Sequence, residues 1–170
     1  MMSMSVNAMT QDEAKIKRTV NGFSVLADQG AFEYLGRLLT TNVVVDYTSL
    51  FGGDAEILTR EQLMKRWAGF LPGFDTTFHE LEDPQVVMSQ NKATVNVAFT
   101  ASHWLGEKGY WQIFGTYKFE LSKEDNSWKI SSIKTIGENE KGSREMLGEV
   151  AQFAEQNLKS AQAELVNYTK

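Results

Sequence analysis

The sequence contains no cysteine, which excludes disulfide bonds, thiol nucleophiles, thiolate zinc sites and iron–sulfur ligation. It has no run of lysine and arginine, and its formal net charge is -5, so neither nucleic acid nor an anionic membrane surface is an expected partner. No apolar stretch approaches the roughly 18 residues of a membrane span, and the first ten residues lack the pattern of a signal peptide. We therefore expect a cytoplasmic location.

The composition is that of an ordinary globular protein, with 42% apolar and 23% charged residues in a chain of 170. This composition excludes the disordered, collagen-like and coiled-coil classes, and the length suits a single domain with a real core.

Helical patterns occupy the N-terminal part of the chain. Thr10 with Glu13, and later Thr59 with Gln62, have the spacing of a capping box, which predicts a helix start at each pair. A second, short helix is predicted between them, so that three helices precede the main sheet. The apolar positions that define the faces of these helices are Ile16, Val20, Phe23, Ala27, Phe32, Leu35, Leu38, Leu39, Leu63, Trp67 and Phe70.

The period becomes strand-like from residue 74 onward. Runs at 75–81, 84–89, 92–105, 109–122 and 127–136, separated by polar turns, predict an antiparallel meander, and Val43–Val45 predicts an earlier strand. Gly115 lies within the fourth run, where a strand can bend or a ligand can approach closely. The residues predicted to point inward from the two longest runs are Ala93, Val95, Val97, Phe99, Ala101, His103, Leu105, Trp111, Ile113, Tyr117, Phe119 and Leu121.

Residues 143–168 predict a long amphipathic final helix. Its apolar residues, spaced alternately four and three apart, are Leu147, Ala151, Ala154, Leu158, Ala161, Leu165 and Tyr168. The helix could lie along the sheet, cover a pocket mouth or pair with a second chain, and the sequence does not choose among these.

The two histidines, His79 and His103, are the best candidates for proton transfer near neutral pH. Both fall on strand positions that share a face with apolar residues. Each histidine alone also fits a structural role in the core or at its rim, but two histidines together at such positions favour that role less. Asp46 and Tyr47 are adjacent on a strand, so they point to opposite faces unless the strand bulges or ends there. Alternation assigns Tyr47 to the pocket. We also expect Asp46 to contact a ligand or orient a neighbour, and we expect aromatic contacts from Trp67, Phe99, Trp111 and Tyr117.

The order of these elements and residues resembles the NTF2-like superfamily. Within it the sequence is similar to the SnoaL-like branch, which includes scytalone dehydratase, bile-acid dehydratase-like proteins and polyketide cyclases. The segment Thr41-Asn42-Val43-Val44-Val45-Asp46-Tyr47-Thr48-Ser49 resembles the first-strand motif of the dehydratase. The likeness implies an α+β, cystatin-like cone, with N-terminal helices packed on a curved mixed or antiparallel sheet. It predicts that residues 10–140 form this domain and that 141–170 form an added helix.

The resemblance also implies roles for individual residues. Tyr47 inherits the tyrosine that holds a water or substrate oxygen, and His79 and His103 inherit the acid–base pair. Asp28 stands where the family places an aspartate that pairs with the second histidine, here His103. The dehydratase has an asparagine where this chain has Tyr117, which implies a different substrate.

These observations lead to a main functional hypothesis and two alternatives. The main hypothesis is a cofactor-free lyase or isomerase that acts on a small hydrophobic or cyclic hydroxy-ketone, with His103 as base and His79 as proton donor. The first alternative is a non-catalytic ligand-binding or protein-interaction module. The second is a non-haem iron site built from two histidines and a carboxylate, but the spacing predicts no metal motif. By resemblance, we expect a homodimer or homotrimer.

Overall fold

The computed structural model of the protein describes residues 6–107 and 109–168. Its helices and strands are α1 (Val6–Gln29), α2 (Phe32–Gly36), β1 (Leu39–Asp46), α3 (Thr48–Phe51), β2 (Glu56–Thr59), α4 (Arg60–Ala68), a 3-10 turn (Leu71–Gly73), β3 (Thr76–Leu81), β4 (Gln85–Ser89), β5 (Lys92–Leu105), β6 (Gly109–Glu124), β7 (Ser127–Gly142) and α5 (Leu147–Tyr168). They form the expected α+β fold, with helices against one face of a curved, unclosed sheet.

One of the two predicted helix starts is right. Thr59 Oγ1 accepts a hydrogen bond from the Gln62 backbone N–H at 3.1 Å, and the Gln62 side chain accepts one from the Thr59 N–H at 3.0 Å, so this pair caps α4. At the other pair the prediction was wrong, because α1 begins at Val6 and Thr10 lies inside it. No glycine or proline interrupts residues 6–10, so helix propensity carries the helix past the pair.

The described strands form one mixed sheet in the order β2-β1-β7-β6-β5-β3, with β4 also paired to β5. The hairpins β5–β6 and β6–β7 confirm the antiparallel meander. β3 and β4 share the long β5, since β3 pairs with its last part and β4 with its first. β1 runs parallel to β7, and the sequence analysis missed both β2 and α3.

The alternation of buried and exposed side chains on β5 and β6 shows which face of the sheet forms the core. The predicted inward residues of β5 and β6 are buried except for Leu105, which is partly exposed. Gly115 lies at a register shift between β6 and β7, as the predicted bend requires. A Cβ at this position would lie 2.0 Å from the Ile136 carbonyl oxygen and 3.0 Å from the Phe99 ring, so the close approach of these groups requires glycine.

The final helix begins at Leu147 and not at residue 143 as predicted, and it packs on the 3-10 turn. A Cβ on Gly73 would lie 2.0 Å from the Val150 carbonyl oxygen, and the Asn157 amide donates to the Pro72 carbonyl oxygen at 2.8 Å. Ala154 is buried as expected, whereas Ala151 is exposed and Val150 takes its place. The side chains of Leu165 and Tyr168, which the prediction also placed on this face, are not among those that the structure describes. No helix in the described part of the chain is both long and apolar enough to cross a membrane.

Candidate active site

The concave face of the sheet, together with α1 and α4, encloses a cavity of about 660 Å³. This volume lies in the range of small-molecule sites. The aromatic side chains of its wall are Phe23, Tyr47, Phe51, Trp67, Phe70, Phe99, Trp111 and Tyr117. Leu147 and Gly148 also line it, so the start of α5 belongs to the cavity wall. The cavity is therefore suited to an apolar ligand with few polar contacts.

Asp28 and His79 form a hydrogen-bonded pair where the end of α1 meets β3. Asp28 Oδ1 lies 2.5 Å from His79 Nδ1, and Asp28 Oδ2 accepts the His79 backbone N–H at 2.8 Å. Thr77 Oγ1 donates to Asp28 Oδ1 at 3.0 Å. Because an ionised carboxylate only accepts hydrogen bonds, Nδ1 of the ring carries the hydrogen, and in the neutral ring Nε2 carries the lone pair. The ring of His79 lines the cavity.

His103 is held differently, because its partner is a backbone carbonyl group. His103 Nδ1 lies 3.0 Å from the Trp111 carbonyl oxygen, so in the neutral ring Nδ1 is again protonated and Nε2 is free. The residue is only 4% exposed. Burial, together with the nearby His79, lowers the pKa of His103 to about 4 despite the Trp111 hydrogen bond. His103 is therefore neutral at pH 7 and offers Nε2 as an acceptor.

The two histidines meet in the cavity wall, with ring centroids 5.7 Å apart and nearly perpendicular planes. The prediction that Asp28 pairs with His103 was wrong, since its carboxylate reaches His79 instead. The two histidines therefore differ in their chemistry, because only His79 has a carboxylate partner. His79 has the carboxylate that offsets the positive charge a base gains, whereas a neutral His103 has no proton on Nε2 to give.

Two tyrosines supply hydroxyl groups to the same cavity. Burial raises the pKa of Tyr47 far above its usual value, and the pKa of Tyr117 is raised well above its usual value for the same reason. Both phenols therefore stay protonated near neutral pH and can donate hydrogen bonds. The Tyr117 ring is stacked on Phe99, with centroids 3.9 Å apart, which fixes its position on the wall.

Asp46 does not line the cavity, so the expected ligand contact of this residue was wrong. Its Oδ1 accepts hydrogen bonds from the Thr48 backbone N–H at 3.0 Å and from Thr48 Oγ1 at 2.6 Å. These bonds hold the turn into α3, a local use of aspartate that competes with any ligand role. The predicted site residues that do line the cavity are Tyr47, Trp67, His79, Phe99, His103, Trp111 and Tyr117.

Two arginines lie in the cavity wall or next to it. Arg66 on α4 lines the cavity and pairs with Glu56 on β2, at 2.5 Å between Nη1 and Oε2. Arg144 donates to the Leu50 carbonyl oxygen at 2.5 Å and to Glu140 at 2.7 Å, and its guanidinium lies near the Phe51 ring. Arg144 thus ties the short helix α3 to the segment before α5.

Thr135 and Arg66 are among the cavity residues that the sequence analysis missed. Thr135 lies on β7 between Ile133 and Gly137, and alternation along that strand would have assigned it to the inner face. Arg66 precedes the buried Trp67 on α4, and no signal in the sequence distinguishes it from other charged residues of that helix. Within 6–107 and 109–168, no group of three or more histidine, aspartate or glutamate residues is placed to hold a metal ion.

Comparison with known proteins identifies the family. The model of the SnoaL-like domain matches residues 8–134, about three quarters of the chain. The chain belongs to the SnoaL-like family. This SnoaL-like protein has no match among the curated proteins that were searched. The match ends before the last part of β7, so α5 lies outside the family model.

Solved structures share the fold of this SnoaL-like protein. The Kfla4162 protein from Kribbella flavida is 22% identical with a TM-score of 0.74, over 86% of this chain and 99% of that one. A scytalone dehydratase-like protein from Novosphingobium aromaticivorans is 21% identical with a TM-score of 0.71, over 82% and 93%. A hexachlorocyclohexane dehydrochlorinase, LinA type 2, is 15% identical with a TM-score of 0.69, over 81% and 92%. These likenesses confirm the NTF2-like, cystatin-like fold expected from the sequence.

Proposed function

We propose that this protein is a lyase or isomerase that moves protons on a small apolar ketone without a cofactor. The observation that carries the proposal is the 2.5 Å contact between Asp28 Oδ1 and His79 Nδ1 in the wall of an apolar cavity. A carboxylate in this position orients the ring and stabilises the imidazolium that forms when Nε2 takes a proton. The names of two fold relatives, a dehydratase-like protein and a dehydrochlorinase, support an elimination reaction.

In this mechanism His79 Nε2 removes a proton from the carbon next to the substrate carbonyl. The electron pair of the broken C–H bond moves toward the carbonyl, whose oxygen accepts a hydrogen bond from the Tyr47 hydroxyl. The imidazolium of His79 then gives its proton to a departing hydroxyl group, which leaves as water, or to another carbon, which completes an isomerisation. The neutral Nε2 of His103 accepts a hydrogen bond from a substrate hydroxyl. Positioned acid–base groups of this kind supply about 10²–10⁴-fold in rate.

The test is exchange of hydrogen for deuterium next to the carbonyl, followed by NMR in D2O. A panel of cyclic ketones and hydroxy-ketones is incubated with the parent protein, with His79→Gln and with Asp83→Asn as a folded control. Asp83 is exposed and lies outside the cavity wall. We expect exchange with the parent and the control, and a loss of about 10²–10⁴-fold in His79→Gln.

Two results would contradict the enzymatic proposal. One is a rate in His79→Gln equal to that of the parent. The other is no exchange or elimination above buffer with any member of the panel. Saturable binding without turnover would instead support the ligand-binding alternative, for which the apolar wall and the 660 Å³ volume are sufficient.

A further inference from the structure

Thr135 on β7 is a buried polar residue that the proposed mechanism does not use. It is 2% exposed and lines the cavity. Its Oγ1 has no hydrogen-bond partner among the described residues. Leaving a buried hydroxyl unpaired costs free energy, and most buried polar groups in proteins have a partner. A valine would fill the same space in a strand without that cost.

Strand register places two further hydroxyl groups beside Thr135. Tyr117 on β6 is its direct cross-strand partner. On the other side, β1 ends at Asp46, which is paired with Lys134 of β7, and Tyr47 and Thr135 each follow this pair by one residue. All three side chains line the cavity. The wall therefore carries hydroxyl groups from β6, from β7 and from the residue that follows β1.

We propose that Thr135 determines specificity by binding an oxygen atom of the ligand together with Tyr117. This proposal rests on the proposed function, because it takes the same cavity as the substrate site. It restricts the substrate class to compounds with a further oxygen atom. The substrate carries a second oxygen, a hydroxyl or a carbonyl, besides the carbonyl that Tyr47 polarises. A substrate with a single oxygen leaves Thr135 unpaired.

The chemistry of the two hydroxyl groups fits either kind of oxygen. A threonine hydroxyl donates one hydrogen bond and accepts others, and a protonated phenol donates one. A ligand carbonyl oxygen accepts from both residues, whereas a ligand hydroxyl donates to Thr135 and accepts from Tyr117. Rotation about the Thr135 Cα–Cβ bond exchanges its hydroxyl and methyl groups, which allows Oγ1 to turn toward the ligand.

The experiment compares tetralone, which has one oxygen, with the isomeric hydroxytetralones, which have two. Binding is followed by the fluorescence of Trp67 and Trp111, which line the cavity, and by calorimetry. The variants are Thr135→Val, which removes the hydroxyl at constant shape, Thr135→Ser, which keeps it, and Thr116→Val as the matched control. Thr116 is the residue next to Tyr117 on β6, and its hydroxyl bonds to the exposed Glu138 outside the cavity.

We expect at least one hydroxytetralone to bind the parent about tenfold more tightly than tetralone, the worth of one good hydrogen bond. That preference should vanish in Thr135→Val and persist in Thr135→Ser and Thr116→Val. If Thr135→Val fails to fold, Thr135→Ala gives the same comparison. A preference that survives in the hydroxyl-free variant overturns the proposal, and so does the lack of any preference in the parent, including failure to bind either ligand.

The result for Thr135 can be distinguished from the result for the proposed enzymatic function. If the parent shows no hydrogen exchange but its preference disappears in Thr135→Val, the enzymatic proposal fails and the specificity role stands. If His79→Gln abolishes exchange while Thr135→Val keeps the preference, the enzymatic proposal stands and the specificity role fails.

Discussion

The Asp28–His79 pair yields a prediction that requires no substrate. In Asp28→Asn, the amide oxygen can keep the hydrogen bond to the His79 backbone N–H, which is 2.8 Å long in the parent. The amide nitrogen then occupies the place of Oδ1, 2.5 Å from His79 Nδ1 and 3.0 Å from Thr77 Oγ1. An amide nitrogen only donates, so Nδ1 must become the acceptor and the ring hydrogen must move to Nε2.

The energetic cost of this substitution is modest, whereas its chemical effect is large. Hydrogen bonds to a charged group contribute about 1.5–3 kcal/mol and neutral ones about 0.5–1.5 kcal/mol, so the variant should lose roughly 1–3 kcal/mol of unfolding free energy. For a chain of this size, each kcal/mol lowers Tm by about 2–4 °C. Turnover, if present, should fall by about 10²–10⁴-fold, because Nε2 no longer has a lone pair at neutral pH.

Nitrogen NMR of the imidazole rings measures the tautomer directly, and only two histidines contribute signals. The parent should show both rings with hydrogen on Nδ1, and Asp28→Asn should move the hydrogen of one ring to Nε2. Asp83→Asn, an exposed carboxylate changed in the same way, should leave both rings unchanged. An unaltered His79 tautomer in Asp28→Asn would refute the view that this carboxylate sets the basic nitrogen.

Further predictions concern His103 and the final helix. The unfolded chain protonates His103 below pH 6.5 and the folded protein only near pH 4, so unfolding free energy should fall by up to roughly 3 kcal/mol as pH drops through this window. Urea titrations at several pH values should show this loss in the parent. In His103→Asn, whose amide can still donate to the Trp111 carbonyl, the loss should be smaller by about this amount, and only the carboxyl groups of lowered pKa, such as Asp12 and Asp46, should still contribute to it. Parallel curves for the two proteins would contradict the assignment. Gly73→Ala, whose Cβ would lie 2.0 Å from the Val150 carbonyl oxygen, should loosen α5 and speed protease cleavage within 147–161. Gly148→Ala, with no atom within 4 Å of the new Cβ, should slow cleavage by adding about 1 kcal/mol of helix propensity, and equal cleavage of both variants would count against the docking of α5.

Alternation in the sequence predicted most of what builds the cavity. On β5 and β6 the inner face is set by side-chain direction alone, and His103 and Tyr117 fell on that face because the period of a strand is fixed. The same rule separated Tyr47 from Asp46. Local capping chemistry predicted α4 from Thr59 and Gln62.

Tertiary geometry decided what the sequence could not predict. Asp28 lies near the end of α1, and the packing of α1 against β3 brings its carboxylate to His79 and not to His103, although the two rings are 5.7 Å apart. The sequence also predicted a ligand contact for Asp46. In the structure its Oδ1 instead accepts hydrogen bonds from the backbone and the side chain of Thr48. The strand β2 follows a pair of glycines and pairs only with β1, so it has little pattern of its own.

The two hydrogen bonds between Asp28 and His79 depend differently on the side chain at position 79. One goes to the backbone of residue 79 and would survive any side chain there, while the other needs an imidazole. A relative that has no acid–base function could therefore have another residue at position 79 and still keep the aspartate, whose bond to the backbone N–H connects α1 with β3. An aspartate at position 28 without a histidine at position 79 would therefore indicate shared architecture alone, whereas the proposed acid–base chemistry requires both residues.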